Sequence, residues 1–243
     1  MIPRVPPGID DLPKFLGEAQ TAFEWMLKKI KAAGGNWVLV NAWATFLRES
    51  ESPLGSYTEN IPSPPPLHPF TKLIEEAVES GIDVVFCAGN CGMGDLTGRC
   101  GSLRGPRRSI WGANAFHRVL TVGAVNTDRR WLEYSSQGPG PTNLGKNPGK
   151  DNLKPDLCGP SEFINDVPPA TLNAGTSAAS GVVAGVVAAL RSRWPSQLVS
   201  PEKLIQILNE NTQQLANTTW DPNYGYGIIN VRKTVERLTA DHP

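Results

Sequence analysis

The sequence predicts an α/β domain with a mainly parallel sheet and helices on both of its faces. Amphipathic helix patterns alternate along the chain with short apolar runs, and these runs lack the polar alternation of half-exposed strands. The chain has 243 residues, of which 40% are apolar, so one substantial core is available. We predict a single domain over residues 1–243, with a lead segment at 1–13 and a folded region at 14–240.

The first predicted helix and strand lie in the N-terminal quarter of the chain. Residues 14–33 place apolar side chains at three- and four-residue intervals, which predicts an amphipathic helix ended by two glycines. Residues 36–43 contain a nearly continuous apolar run, which predicts a strand buried on both faces. Residues 49–69 are rich in Ser, Pro and Gly and predict a loop.

The same helix and strand order recurs further along. Residues 71–80 predict a helix, and residues 82–88 predict a second apolar strand. A third strand is predicted at 119–125, after a loop at 89–108 that is rich in Gly and Arg. Residues 131–170 are dense in Gly, Pro, Asn and Ser and predict mostly loop. Helices alternating with apolar strands favour a parallel sheet.

The last third of the chain predicts three helices. Residues 176–194 are mainly Ala, Val and Gly, which predicts a helix buried on nearly every side. Ser200 followed by proline predicts a capped helix at 201–214. Asn230 similarly predicts the cap of a final helix at 231–239.

The charge balance excludes strongly electrostatic partners. Lysine plus arginine number 23, as do aspartate plus glutamate, so we expect neither nucleic acid nor an anionic membrane surface as partner. The longest apolar stretch, residues 182–190, is much shorter than the roughly 20 residues that cross a bilayer. Residues 1–8 do not resemble a signal peptide, although this means little if the chain is a fragment. The compartment therefore remains open.

Four cysteines occur in the sequence, at positions 87, 91, 100 and 158. They are too few for a disulfide-dependent scaffold in a domain of this size. The first three lie close together, but their spacing does not match paired zinc ligands and no histidine lies among them. Three interpretations stay open at this point: ordinary thiols, a disulfide between Cys91 and Cys100 that closes a surface loop, or a metal site.

Two short segments carry the residues that suggest chemistry. Segment 87–90 ends an apolar strand with glycine and Asn90, and segment 175–181 places Ser177 at the start of a long apolar helix. Ligands of open α/β sheets bind beyond the carboxyl ends of the strands. The free N–H groups and the dipole of the helix start favour a developing negative charge, as in acyl transfer. Asn90 Nδ2 and the Ser177 N–H could both stabilise an oxyanion.

Taken singly, both residues also have ordinary interpretations. A serine at a helix start is commonly an N-cap, and an asparagine after glycine at a strand end is commonly a turn residue. Together and in this order, however, the segments resemble the subtilisin-like serine proteases, or subtilases. There the asparagine of Ala-Gly-Asn is the oxyanion donor and the serine of Gly-Thr-Ser-x-Ala-Ser is the nucleophile, which correspond to Asn90 and Ser177.

The resemblance extends over roughly residues 15–240. Further stretches agree in order, at 119–125, 134–138, 154–157 and 224–230. It implies a subtilisin-like fold that is incomplete at its N-terminal side. It also implies substrate-binding positions at Trp43, Ala44, Gly89 and Thr176, where Trp43 belongs either to the cleft or to the core. Calcium sites are frequent in the family, but their ligands are not identifiable here, so we predict no cofactor and no metal.

The aspartate and histidine of the family's catalytic triad have no counterpart in this sequence. They belong to Asp-Thr/Ser-Gly and His-Gly-Thr-His segments upstream of the shared motifs, and neither segment occurs here. We expect His68, His117 and His242 to be structural or exposed. A serine without a base is a weak nucleophile, and in subtilisin itself loss of the histidine lowers turnover by about 10⁶. This chain alone should therefore be essentially inactive.

Three hypotheses follow from the resemblance. In the first, the chain is part of a serine endopeptidase acting on peptide or protein substrates, with the aspartate and histidine supplied by a missing N-terminal part of the domain. In the second, it is an inactive subtilase-like scaffold that binds peptides or a partner protein. In the third, a complementing chain brings the missing residues to Ser177. A sheet that lacks strands exposes an apolar edge, so we also expect the isolated chain to be aggregation-prone or to need a partner.

Overall fold

The computed structural model describes residues 12–44, 67–94, 100, 103–147, 149–164, 172–214 and 219–242. Most of the predicted lead segment and most of the predicted loop at 49–69 lie outside these residues. The helices are α1 (Leu12–Ala33), α2 (Pro69–Glu79), α3 (Gly175–Arg191), α4 (Pro201–Glu210) and α5 (Val231–Asp241). The strands are β1 (Val38–Asn41), β2 (Asp83–Cys87), β3 (Leu120–Val125), β4 (Leu157–Pro160), β5 (Phe163–Ile164) and β6 (Leu172–Asn173).

Strands β1 to β4 form one parallel sheet in the order β1-β2-β3-β4. Strands β2 and β3 are buried along their whole lengths, as expected for the centre of such a sheet. Strands β5 and β6 form a separate short antiparallel pair. The predicted α/β class with a mainly parallel sheet is therefore confirmed.

Helices cover both faces of the sheet, as predicted. Along β2, Val84 and Phe86 point to one side and pack with α1 and α2, while Val85 points to the other side and packs with α3 and α4. This alternation follows from the two-residue period of a strand. Two apolar cores therefore lie on opposite faces of one sheet.

Two buried ion pairs fix the placement of α3 and β4. Arg191, in the last turn of α3, binds both carboxylate oxygens of Asp83 at 2.6 and 2.7 Å, at the beginning of β2. Lys154 Nζ donates to Asp156 Oδ2 at 2.6 Å, and the same oxygen accepts from Thr121 N at 2.7 Å. Because the C-terminus of α3 is held at the beginning of β2, the N-terminus of α3 reaches the carboxyl end of that strand.

Strand β1 differs from its prediction. It lies at the edge of the sheet, and within the described ranges no strand pairs with its outer side. Val40 is 49% exposed, and Trp37, just before the strand, is also exposed. The prediction of burial on both faces was wrong because an apolar run reports composition, whereas burial also requires neighbours on both sides of the strand.

Helix α3 is also less covered than its sequence predicts. Its buried positions lie on one side, whereas Gly181, Gly185, Ala188 and Ala189 are exposed. A Cβ atom added at Gly181 or Gly185 would meet no atom within 4 Å. The small apolar residues make the helix suitable for burial all round, but the described residues cover only part of its surface.

The segment predicted as loop at 131–170 contains one strand of the main sheet and one of the antiparallel pair. Strand β4 has only four residues, Leu-Cys-Gly-Pro, and β5 has two. Runs this short carry too little periodicity to be distinguished from loop, and β4 also ends in Gly and Pro. They were missed for that reason.

The predicted caps of the last two helices are confirmed. Ser200 accepts a hydrogen bond from Lys203 N, and Asn230 accepts one from Lys233 N. Helix α4 ends at Glu210, four residues before the predicted end at 214. No helix among the described residues is long and apolar enough to span a membrane.

The structure decides between the alternatives for the cysteines. Cys91 and Cys100 form a disulfide, so the pair closes the loop between them. Cys87 and Cys158 are free thiols, and both are buried.

Candidate active site

Segments 87–90 and 175–181 meet at the carboxyl end of β2. The backbone N–H and the hydroxyl of Thr176 both donate to Asn90 Oδ1, each at 3.0 Å. The Thr176 hydroxyl in turn accepts from Gly89 N at 3.1 Å. Because a backbone N–H can only donate, the atom of Asn90 that faces Thr176 must be Oδ1. The side-chain Nδ2 group is therefore directed elsewhere, and Asn90 is exposed.

The first turn of α3 presents its backbone donors to this site. The leading N–H groups of any helix lack intrahelical acceptors. Here the Gly175 N–H donates to the Tyr134 hydroxyl at 3.0 Å and the Thr176 N–H donates to Asn90. The Ser177 N–H is the next donor of the same turn, beside the serine side chain. This N–H and Asn90 Nδ2 are thus two donors at one helix start.

The Ser177 side chain lies between α3 and the end of β1. Its Oγ donates to the backbone carbonyl of Ala42 at 2.7 Å. The residue is half-buried and sits in the first turn of the helix. The nucleophile predicted from the sequence is thus accessible, but its proton rests on a neutral carbonyl oxygen.

Close packing holds Gly89 beside the end of β1. Gly89 has a φ of 103°, and a Cβ atom there would lie 2.9 Å from Ser136 Oγ and 3.2 Å from Ala44 Cβ. A side chain at this position would therefore be strained by its backbone conformation and crowded by its neighbours. Three of the predicted substrate-binding positions therefore lie next to one another: Gly89 contacts both Ala44 and Thr176.

The sequence left open whether Trp43 belongs to the cleft or to the core. In the structure it packs against the core. Its indole ring lies 5.0 Å from the ring of Phe15, 5.6 Å from Phe70 and 5.4 Å from Phe86. Its carbonyl oxygen accepts from Asn114 Nδ2 at 2.9 Å.

Asn114 was missed by sequence reasoning. Its Nδ2 group also donates to Cys87 O at 2.7 Å, so one amide group bridges the ends of β1 and β2. Nothing in the surrounding sequence, a Gly-Ala-Asn-Ala turn, distinguishes this asparagine from a surface turn residue. Tyr134 and Ser161, which contact Gly175, were also missed: Tyr134 begins a stretch that matches the family, but the match gives it no role.

The three histidines of the sequence lie outside the two segments that carry Asn90 and Ser177. His68 caps α2, where its Nδ1 accepts from Phe70 N at 3.2 Å, and burial lowers its pKa. The Nδ1 of His117 lies 3.3 Å from Leu144 O, and its pKa is also lowered by burial. His242 follows α5 at the C-terminal end. These placements agree with the structural or exposed roles expected for them.

Cys87 lies under the site but is not a suitable nucleophile. Burial raises the pKa of its thiol to about 11, although the neighbouring polar groups of Thr176, Gly89 and Ser177 act in the opposite direction. The thiolate is the reactive form of cysteine, so this thiol is neutral and unreactive near pH 7. Within the described ranges, no three His, Cys, Asp or Glu side chains form a group that could hold a metal ion.

Comparisons with known proteins identify the family. The model of the Subtilase family matches residues 11–227. No curated protein matches the sequence. Among solved structures, the prenylagaramide maturation protease PagA matches with a TM-score of 0.62 and 17% identity, over 93% of this chain and 68% of that one. The patellamide maturation protease PatA matches with a TM-score of 0.61 and 16% identity, over 93% of this chain and 69% of that one.

At these identities the structural likeness supports the fold. The family match covers most of the chain and includes both segments of the site. The geometry around Asn90 and Ser177 agrees with the resemblance seen in the sequence. The chain belongs to the subtilase family of serine proteases.

Proposed function

We propose that this chain is the nucleophile-bearing part of a serine endopeptidase that hydrolyses peptide bonds through an acyl-enzyme. Ser177 is the nucleophile, and Asn90 Nδ2 and the Ser177 N–H are the oxyanion donors. The observation that carries the proposal is the pair of hydrogen bonds from Thr176 to Asn90, which joins residues 86 positions apart at the start of α3. Ser177 follows Thr176 directly, so its position relative to Asn90 is fixed.

The proposed reaction follows from this arrangement. Ser177 Oγ attacks the carbonyl carbon of the scissile peptide bond while a base removes the Oγ proton. The carbonyl oxygen becomes an oxyanion that accepts hydrogen bonds from the two donors. Collapse of this intermediate breaks the C–N bond, the amine leaves with the proton from the base, and water then hydrolyses the ester.

Among the described residues, Ser177 Oγ has no hydrogen bond to a side chain that could act as its base. The backbone carbonyl of Ala42 holds the Ser177 proton but is too weakly basic to accept it. The three histidines of the chain have the other positions described above. We infer that an imidazole and its orienting carboxylate come from a segment outside this chain, as the family resemblance implies.

Two surfaces next to the site that the described residues leave incompletely covered support such a segment. The outer side of β1 leads directly to Ala42, and exposed Gly181 lies one helical turn after Ser177. A segment that paired with β1 or packed on this face of α3 would come close to Ser177 Oγ. The exposed small residues at Gly181 and Gly185 leave room for close backbone contact.

One observation favours the second hypothesis, an inactive scaffold that binds peptides or a partner protein. The hydrogen bond from Ser177 Oγ to Ala42 O stabilises the hydroxyl in a form that is not activated for attack. A second polypeptide that supplies the base is the third possibility. Only the inactive scaffold makes a prediction that differs from that of the first hypothesis when a base is added.

Chemical rescue with free imidazole tests the proposal. A fluorophosphonate probe should label Ser177 very slowly in the isolated chain, and imidazole at neutral pH should raise the labelling rate in proportion to its concentration, as followed by intact mass and peptide mapping. Ser177→Ala should abolish labelling. Ser192→Ala, which removes an exposed serine hydroxyl at the end of α3, should leave it unchanged.

Failure of imidazole to accelerate labelling at Ser177 would favour the inactive scaffold. The gene sequence upstream of the coding region for Met1 separates the remaining possibilities. In-frame Asp-x-Gly and His-Gly-x-His segments would place the base in the same protein. Restoration of labelling by a separately expressed polypeptide would place it in a complementing chain.

A further inference from the structure

The oxyanion donor and the nucleophile lie on segments that are distant in sequence, and a third segment contacts both of them. We define the bridging segment as residues 133–136, which follow β3. We propose that Tyr134, assisted by Ser161, is a positioning residue that holds the start of α3 at a fixed place relative to Asn90. This inference rests on the proposed function of Ser177 and Asn90.

The bridging segment pairs through its backbone with the segment that carries Asn90. Four hydrogen bonds join the two segments. Three are between backbone groups: Gly94 N donates to Glu133 O, Gly92 N to Tyr134 O and Ser136 N to Gly89 O, each at 2.9 Å. In the fourth, Cys91 N donates to the hydroxyl of Ser136 at 3.0 Å. A Cβ atom at Gly92 would lie 2.4 Å from Ser135 O, so only glycine permits this approach. Asn90 thus lies within a paired stretch of backbone.

The side chain of Tyr134 extends from the same segment to the start of α3. Its hydroxyl accepts from the Gly175 N–H at 3.0 Å and lies 3.2 Å from Ser161 Oγ. Ser161 Oγ donates to Gly175 O at 2.9 Å. The backbone N–H and the backbone carbonyl of Gly175 are therefore each hydrogen-bonded to a side-chain hydroxyl.

Proton counting fixes the direction of these bonds. Each hydroxyl has one proton, and Ser161 uses its proton for Gly175 O. The bond between the two hydroxyls must then run from Tyr134 Oη–H to Ser161 Oγ. The result is a closed ring of donors through Gly175, Tyr134 and Ser161, in which each bond polarises the next. Burial raises the pKa of Tyr134, with the bonds to Ser161 and Gly175 opposing, so the phenol keeps the proton that the ring requires.

Gly175 is the residue through which this ring acts on the site. It has a φ of 82°, and a Cβ atom there would lie 3.1 Å from Asn90 Nδ2. The next residue, Thr176, donates to Asn90 Oδ1, and Ser177 follows. A displacement of Gly175 would therefore move Ser177 and disturb both ends of the Asn90 amide. Tyr134 contacts neither Ser177 nor a substrate in this scheme, so its role is positional.

The Tyr134→Phe variant removes the hydroxyl and keeps the ring and the backbone pairing. Tyr224→Phe is the matched control, because Tyr224 is also half-buried and its hydroxyl also accepts a backbone N–H, from Trp131 at 3.0 Å. Ser161→Ala is the second test variant, and it removes the other hydroxyl of the ring without changing an aromatic side chain.

Two measurements on the chain itself report on the positioning. Hydrogen exchange with residue-level fragmentation should show the Gly175 amide exchanging about tenfold faster in Tyr134→Phe than in the parent chain. The ¹⁵N resonance of the Asn90 side-chain amide, assigned by its absence in Asn90→Asp, should shift in both Tyr134→Phe and Ser161→Ala. Tyr224→Phe should change neither signal. The imidazole-dependent labelling rate of Ser177 should fall roughly tenfold in Tyr134→Phe.

The amide signals and the labelling separate this inference from the proposed function. If the Gly175 and Asn90 signals respond but no variant is ever labelled, the positioning role of Tyr134 stands and the catalytic proposal fails. If Ser177 is labelled normally in Tyr134→Phe and Ser161→Ala while both amide signals remain unchanged, the positioning role is wrong.

Discussion

The proposed mechanism gives Asn90 two roles, which its side-chain amide divides between two atoms. Oδ1 accepts from the Thr176 backbone and hydroxyl, which is a structural role, whereas Nδ2 remains for an oxyanion. Substitutions that keep one atom and remove the other can separate these roles. The distinction matters because loss of either role would slow the reaction of Ser177.

We predict that Asn90→Asp will slow fluorophosphonate labelling of Ser177 by about 10² to 10³ without loosening the start of α3. The carboxylate keeps the acceptor for Thr176 but removes the donor and adds a negative charge where the oxyanion forms. Asn90→Ala should lose both roles and should also lower the melting temperature. The measurements are the second-order labelling rate in the presence of imidazole and thermal denaturation.

Asn126→Asp is the control for this pair. Asn126 Oδ1 also accepts a backbone N–H, from Arg130 at 2.9 Å, but lies in a separate turn. Its substitution should leave labelling unchanged. Labelling of Asn90→Asp at the parent rate would show that Nδ2 does not stabilise the oxyanion.

The sequence pointed to Asn90 and Ser177 because each lies in a short segment, at a strand end or a helix start, and the two segments together resemble the subtilase motifs. The residues that hold them in place could not be predicted in the same way. Tyr134 contacts Gly175 across 41 positions, and Asn114 contacts Trp43 across 71. Such contacts depend on the relative placement of elements, and a hydroxyl or amide in a turn carries no sign of its distant partner.

Helix α2 begins with an unusual cap, because its acceptor is an imidazole. His68 Nδ1 accepts from Phe70 N, so the cap exists only while this nitrogen is unprotonated. Burial lowers the pKa of His68 below its ordinary value of 6.5. Above pH 6.5 the folded and unfolded chains are both neutral at this residue, and the cap contributes fully. As the pH falls below 6.5, the unfolded chain takes up the proton first and this stabilisation is lost.

We predict that His68→Asn will reduce the loss of stability between pH 7.5 and pH 5.5. Asparagine is a good N-cap that does not titrate, so the variant should retain the helix start, whose typical contribution is about 1 kcal/mol. The measurement is the free energy of unfolding from urea denaturation at the two pH values.

His117→Asn provides the comparison for this experiment. Burial also lowers the pKa of His117, so this variant should remove a separate part of the pH dependence and leave the part due to His68. Equal pH dependence in the parent chain and in His68→Asn would contradict a titrating cap.

Helix patterns predicted the described elements better than strand patterns did. The stripes of α1 and α2 and the caps at Ser200 and Asn230 are local features, and the structure confirms them. The burial of β1 and of α3 was overestimated because it depends on how many neighbours surround an element. Strand β4 was missed because its four residues, which end in glycine and proline, carry no clear period.

At the scale of the whole molecule, two incompletely covered surfaces lie next to the site. The outer side of β1 is unpaired within the described part of the chain, and exposed glycines follow Ser177 on α3. An unpaired strand with exposed apolar side chains is a template for pairing with another strand. The surface that would accept a completing segment is therefore also the surface through which isolated chains would associate.

We predict that the isolated chain will self-associate through β1 and that Val40→Lys will increase its monomer fraction. Val40 is 49% exposed on the edge strand, and a charged side chain there opposes edge-to-edge pairing. Leu198→Lys is the matched control, because Leu198 is 50% exposed but lies in the turn before α4. Light scattering coupled to size-exclusion chromatography over a range of concentrations should show more monomer for Val40→Lys than for Leu198→Lys. A parent chain that is monodisperse and melts cooperatively as a monomer would contradict this account, since the edge would then need no partner. Equal monomer fractions in the two variants would place the association elsewhere than at β1.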